Sequence, residues 1–166
     1  HRLALTHRRA GHLPEALTAA REAVRLRPEH GPYHYTVGTI LRQQSDYEGA
    51  LAEFRRAAEL EPTSGTAHAM TGAMLIRLSR WADAVPELRR AVELDTSDAT
   101  AWANLGMALR RAGRIDESLA AYAEALTYVP ADPDVLNNYA VALRTAGRPG
   151  DAIPALEAAL ARAPDE

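Results

Sequence analysis

The chain has 166 residues, a formal net charge of −3, 47% apolar and 25% charged residues, and no cysteine. That balance excludes a disordered chain and a disulfide framework or thiolate metal site. It also excludes a helical membrane span, because no apolar run approaches ~20 residues, and a global basic field that would draw in nucleic acid.

The dominant pattern is a repeat of 34 residues without insertion or deletion. Gly38, Gly72 and Gly106 form one series, Ala23, Ala57, Ala91, Ala125 and Ala159 a second, and Pro28, Pro62, Pro130 and Pro164 a third. A truncated first repeat, 1–30, carries Leu3, Ala4 and His7, then Leu13, Ala16, Leu17, Ala20, Ala23 and Leu26 before Pro28. Repeat 31–64 carries His34, Val37, Gly38 and Leu41, then Tyr47, Ala50, Phe54, Ala57 and Leu60. Repeat 65–98 follows with His68, Thr71, Gly72 and Leu75, then Trp81, Ala84, Leu88, Ala91 and Leu94, with Thr96 in place of the proline. Repeat 99–132 has Trp102, Leu105, Gly106 and Leu109, then Ile115, Leu119, Tyr122 and Leu126. Repeat 133–166 has Leu136, Tyr139, Ala140 and Leu143, then Ala152, Ile153, Leu156 and Ala159.

Each half-repeat has apolar residues at i, i+3, i+4 and i+7, the spacing of one helical stripe. Gly113 suits the end of a first helix, Asp116 the start of a second, and Pro130 the end of that second helix. The pattern predicts helix, short turn, helix, short turn in every repeat. Glycine or alanine at Ala4, Gly38, Gly72, Gly106 and Ala140, facing Ala16, Ala50, Ala84, Ser118 and Ala152, lets the two helices approach closely. Pro86 and Pro154 are expected in the first turns of second helices, where a missing N–H is tolerated.

Trp102-x2-Leu105-Gly106 and Ala50-x3-Phe54 match the signature of the tetratricopeptide repeat family, which this sequence resembles over its whole length. The resemblance implies an all-α fold: a right-handed α-solenoid, or superhelix, forming a single domain over 1–166. It also implies that first helices line a concave groove. Side chains off the apolar stripe then face that groove: Tyr35, Thr36 and Thr39, then Ala69, Met70 and Ala73, then Ala103, Asn104 and Met107, then Asn137, Asn138 and Val141. Met70 and Met107 are adaptable apolar contacts suited to a binding surface.

All 19 basic residues are arginine. Arg8, Arg42, Arg110 and Arg144 share one repeat position, interrupted by Ile76, and Arg9, Arg77 and Arg111 share the next. They read either as a ladder for carboxylates or phosphates or as cations meeting the dipole at helix ends. Glu53, Arg56, Glu87 and Arg90 read as a solvated convex face.

Tetratricopeptide domains that grip a chaperone's C-terminal carboxylate do so with lysine, arginine and asparagine. The matching positions here hold Tyr35 and Thr39, or Ala69 and Ala73, with Thr100 and Asn104, or Asp134 and Asn138. No basic residue occupies them, which argues against a chaperone tail as partner. Asn104 and Asn138 resemble the asparagine ladder of protein O-GlcNAc transferases, where such residues hold an extended substrate. His30 and His34 lie four apart, but His34 and His68 stand where the signature tryptophan is expected, so packing explains them better than a metal. The sequence lacks a G-x-S-x-G elbow, a Walker loop and a dinucleotide fingerprint.

The expected function is a non-catalytic scaffold that binds a peptide or helical segment of a partner protein, with no cofactor, metal, nucleic acid or membrane. One alternative is the regulatory or substrate-recruiting region of a larger enzyme such as a bacterial glycosyltransferase. Another is weak self-assembly through the stack ends, where Leu156 and Leu160 are expected to be exposed. The chain opens at His1 without methionine or an apolar leader, and so reads as a piece of a longer protein, cytoplasmic in location.

Overall fold

The repeat is built from helices alone. The computed structural model describes residues 1–161, and no strand occurs among them. First and second helices alternate along the chain. They are α1 (Arg2–Arg9) and α2 (Leu13–Leu26), α3 (Gly31–Gln43) and α4 (Tyr47–Leu60), and α5 (Gly65–Arg77) and α6 (Trp81–Leu94). Then follow α7 (Ala99–Arg111) and α8 (Ile115–Tyr128), and α9 (Pro133–Thr145) and α10 (Ala152–Leu160), the last entered through a 3-10 turn at Pro149–Asp151. Pro164 of the proline series lies outside the described residues, as do the side chains of Ala159 and Leu160; Leu156 is half-buried.

Contacts group the chain into two compact units, His1–Ser79 and Arg80–Glu166. In the first, α1 packs on α2, α2 on α3, α3 on α4 and α4 on α5. Its buried side chains include Val37, Ile40, Leu41, Leu51 and Phe54. In the second, α6 packs on α7, α7 on α8, α8 on α9 and α9 on α10. There Leu105, Leu109, Leu119, Tyr122, Leu126 and Leu143 are buried.

Every first helix ends in the same way. Gly11, Gly113 and Gly147 have φ of 80°, 80° and 72°, and the same repeat position holds Ser45 at 63° and Ser79 at 58°. The N–H of each donates to the carbonyl three residues back, on Arg8, Arg110, Arg144, Arg42 and Ile76 respectively, at 2.9–3.1 Å. The following N–H groups of His12, Asp46, Arg114 and Arg148 donate to His7, Leu41, Leu109 and Leu143 at 2.9 Å. This paired closure satisfies carbonyls that a helix end would otherwise leave open. Glycine enters the left-handed region freely, whereas a side chain there costs about 1–2 kcal/mol.

In repeats 31–64 and 99–132 the two helices meet at a glycine. A Cβ on Gly38 would lie 3.0 Å from the Phe54 ring, and one on Gly106 would lie 2.9 Å from the Tyr122 ring. The facing small residues Ala50 and Ser118 are fully buried, and the Ser118 hydroxyl donates to the Gly106 carbonyl at 2.7 Å. Ala152, at the same repeat position, is only half-buried.

The signature tryptophan and its histidine substitute make one contact in common. Trp102 Nε1–H donates to the Thr96 carbonyl at 2.9 Å, and His34 Nε2 lies 2.8 Å from the Pro28 carbonyl, the same repeat position. An aromatic N–H thus ties each of these helices to the turn before it. The other ring nitrogen of His34 lies 2.7 Å from Glu53 Oε2. Glu53 is therefore half-buried and engaged, not part of a freely solvated face. Pro86 also departs from expectation: it lies inside α6, past the first turn, where α6 forgoes one backbone hydrogen bond.

Replacing Ser45 or Ser79 with glycine is expected to stabilise the protein by ~1 kcal/mol each, because only the left-handed strain is removed. Gly106→Ala is expected to destabilise by ~1–3 kcal/mol through overpacking against Tyr122. Gly150→Ala, with no atom within 4 Å of the new Cβ, serves as a neutral control; urea denaturation measures all four. Burial raises the Tyr122 phenol above the ordinary tyrosine value, with Arg110 and Arg111 partly opposing the shift. The native state then holds a proton that the unfolded chain releases near pH 10. That contribution to stability is complete below pH ~10 and is lost as pH rises beyond it. Tyr122→Phe should flatten the alkaline limb of a stability–pH profile.

Candidate functional site

A first helix buries one stripe and leaves the rest of its surface for other contacts. In the His1–Ser79 unit, open faces of three first helices bound a cavity of about 470 Å³. The start of α1 and α1 itself contribute His1, Leu5 and Arg8; α3 contributes Pro32, Tyr35, Thr36, Thr39 and Arg42; α5 contributes Met70. Five of the predicted groove residues, Tyr35, Thr36, Thr39, Arg42 and Met70, therefore converge here. Ala69 is buried and Ala73 half-buried, and neither lines this cavity. Tyr35 also borders an adjoining cleft of about 280 Å³ with Gly31, Ala57, Glu61 and Ser64.

The Thr36 hydroxyl donates to the Pro32 carbonyl at 2.9 Å and the Thr39 hydroxyl to the Tyr35 carbonyl at 2.9 Å. Their protons are committed to their own helix, so toward a ligand these two oxygens can only accept.

In the unit that begins at Arg80, α7, the turn after α8 and α9 bound a cavity of about 280 Å³. Predicted residues Asn104, Met107 and Asn138 line it, together with Thr100, Val129, Asp132 and Asp134. Asn138 Nδ2 donates to the Asp134 carbonyl at 2.8 Å, and Asp132 caps α9 through the N–H groups of Asp134 and Val135 at 2.9 Å. This cavity holds amides and carboxylates and no arginine. Arg110, half-buried, and Arg144, exposed, lie outside it.

Most of the arginines fall into three groups. Several on or just before second helices are paired: Arg25 with Glu22 at 2.7 Å, Arg56 with Glu29 at 2.9 Å, Arg80 with Asp83 at 2.8 Å and Arg148 with Asp151 at 2.7 Å. Arg114 bonds Glu117 at 2.6 Å, Arg89 reaches the same carboxylate, and together they hold it below the usual range. Arg77 and Arg111 instead lie over aromatic rings, 5.8 Å from the centroid of Tyr47 and 5.4 Å from that of Trp81. Each ring belongs to the second helix of the preceding repeat, so these two cations brace neighbouring repeats. The position shared by Arg8, Arg42, Arg110 and Arg144 makes up the third group. None of these has an ion pair among the described residues, and the Nε atoms of Arg8 and Arg110 are buried without an acceptor.

His1 and Leu5 were not anticipated as site residues, although the period identifies them: His1, Leu5 and Arg8 precede Tyr35, Thr39 and Arg42 by one repeat. Pro32, Thr100 and Asp134 share a further position that lines both cavities. The stacking of Arg77 and Arg111 had its signal in Tyr47 and Trp81, each an aromatic residue 30 positions earlier.

The fold has many solved counterparts. A crystal structure of MamA is 20% identical and superposes with a TM-score of 0.88, over 96% of this chain and 94% of that one. A MamA fragment from Desulfovibrio magneticus RS-1 is 21% identical, with a TM-score of 0.87 over 97% and 91%. YrrB, described as a TPR protein with an unusual peptide-binding site, is 27% identical, with a TM-score of 0.84 over 98% and 84%. No curated protein sequence matches the chain. The family model described as Tetratricopeptide repeat matches residues 1–65, 70–135 and 104–166. With nearly every residue so covered, and helices alternating in the register of the repeat, the chain belongs to the tetratricopeptide repeat family.

Proposed function

We propose that this chain is a non-catalytic interaction scaffold that holds an extended or helical segment of a partner protein against its first helices, chiefly in the cavity between α1, α3 and α5. The observation that carries this reading is the composition of that cavity. Leu5, Tyr35 and Met70 supply apolar surface beside Arg8 and Arg42, neither of which has an ion pair among the described residues. Tyrosine, methionine and arginine are the residue types enriched where proteins meet, and a cavity of this size accepts a few side chains and not a whole domain. The peptide-binding site ascribed to YrrB, which shares the repeat along most of its length, supports the same class of partner.

A second reading, a substrate-recruiting region of a larger enzyme, draws on Asn104 and Asn138 in the other cavity. Asn138 spends one amide N–H on its own helix, which leaves its carbonyl oxygen and its second N–H for a substrate backbone.

The three methionines allow a direct test. Met70 and Met107 each line a cavity, while Met74 is buried. With methyl-labelled methionine, peptides selected from a random library should shift the Met70 resonance and leave Met74 in place. Met70→Glu should weaken the same peptides about tenfold or more, by placing a charge against an apolar contact. Binding that leaves both Met70 and Met107 unmoved would remove the assignment.

A further inference from the structure

We infer that the cavity between α1, α3 and α5 selects an acidic segment, seating an aspartate or glutamate side chain between Arg8 and Arg42 with its apolar neighbour on Tyr35 and Met70. This rests on the scaffold reading above and names the chemistry of the ligand.

Three observations carry it. First, the lining contains two arginines and no carboxylate, so a bound anion meets no like charge from the walls. Second, the two threonines add no donor, which leaves the arginines beside the Tyr35 hydroxyl and the His1 ring. The hydroxyl protons of Thr36 and Thr39 are spent on the Pro32 and Tyr35 carbonyls, and Arg8 Nε is buried without an acceptor. A planar guanidinium fork with open donors matches a carboxylate in two parallel hydrogen bonds. Third, seven arginines of this chain, from Arg25 to Arg148, are engaged with a carboxylate, two of them with Glu117. Arg8 and Arg42 have none among the described residues.

Leu5, Arg8, Tyr35, Thr39, Arg42 and Met70 all lie within helices. The N–H groups of helix interiors are spent on the helical ladder, leaving recognition to side chains. The cavity of the other unit has the opposite character, with Asp132 and Asp134 and no arginine, so the same acidic segment should avoid it.

The test selects a random peptide library displayed on phage against the full chain. Each displayed peptide is joined to the coat protein at its C-terminus, so no terminal carboxylate is presented. Recovered sequences should pair aspartate or glutamate with an adjacent apolar residue. As synthetic peptides with amidated ends, they should weaken about tenfold or more when that acid becomes its amide. An equal loss is expected in the Arg8→Gln/Arg42→Gln protein, with binding unchanged by Asp134→Asn. Arg8→Lys/Arg42→Lys keeps the charge at the helix ends and loses the fork, and should fall between; circular dichroism confirms that each variant is folded. Recovered peptides without acids, or with acids but indifferent to both arginine variants, overturn the carboxylate assignment; if Met70→Glu still abolishes their binding, the scaffold reading stands. Recovery of no peptide overturns both.

Discussion

Everything in this protein follows from how closely two helices can lie. Where Gly38 faces Phe54 and Gly106 faces Tyr122, one hydrogen atom stands where any other residue would place a carbon, and the ring fills the space to contact distance. Such packing is as dense as a crystal of small molecules, so it fixes the pair as a rigid block and leaves little room for adjustment. The serine that replaces alanine at position 118 shows the same closeness in polar form, because its hydroxyl reaches the carbonyl of the glycine it faces. Once the pair is set, the outward face of the first helix is set too. Tyr35 belongs to both: its ring packs on Phe54, with centroids 5.3 Å apart, while it also lines the cavity. The cavity thus shares a wall with the contact that fixes the pair.

Because the period of 34 has no interruption, most of the fold could be read from the spacing of glycines, alanines and aromatic residues. Helices alternate in the expected register, and first helices end within a residue or two of the places the pattern implies. What spacing could not convey was the direction of individual polar groups. Glu53 looks like any exposed glutamate on an amphipathic helix until His34 is found to reach it across the pair. Pro86 reads as a tolerated early proline because the start of α6 is defined by Trp81, whose aromatic character suggests burial more than a boundary. Position in a stripe is a one-dimensional property, whereas a hydrogen bond between helices depends on three. The candidate site divides along the same line. The repeat itself points to Tyr35, Thr39 and Arg42 and, one period earlier, to His1, Leu5 and Arg8. The burial of Ala69, however, depends on what lies against α5, which no periodicity states.

The arginines show how one residue type is put to three uses by position alone. Several on second helices pair with acids three residues away, a local matter of side-chain reach with little effect on stability. One residue beyond the unpaired series, Arg77 and Arg111 lie over an aromatic ring, where the guanidinium contributes area as much as charge. In the remaining series no ion pair is made among the described residues, and the backbone carbonyl of the same residue is occupied by the turn that ends the helix. The main chain beneath each of these arginines is fixed, whereas the side chains of Arg42 and Arg144 are exposed, so an arriving anion orders the guanidinium as it binds.

The two tryptophans give the molecule an unplanned asymmetry. Trp81 lies beneath Arg111 and Trp102 donates its ring N–H to Thr96, and both residues belong to the unit that begins at Arg80. The His1–Ser79 unit has tyrosines but no tryptophan. Indole emission therefore reports on half of the chain, with one emitter next to a cation and the other tied to a turn, while the half bearing the arginine-lined cavity stays dark to it. A melting curve followed by tryptophan fluorescence and one followed by helical signal need not describe the same event. The interval between them is a measure of how far the units unfold as one.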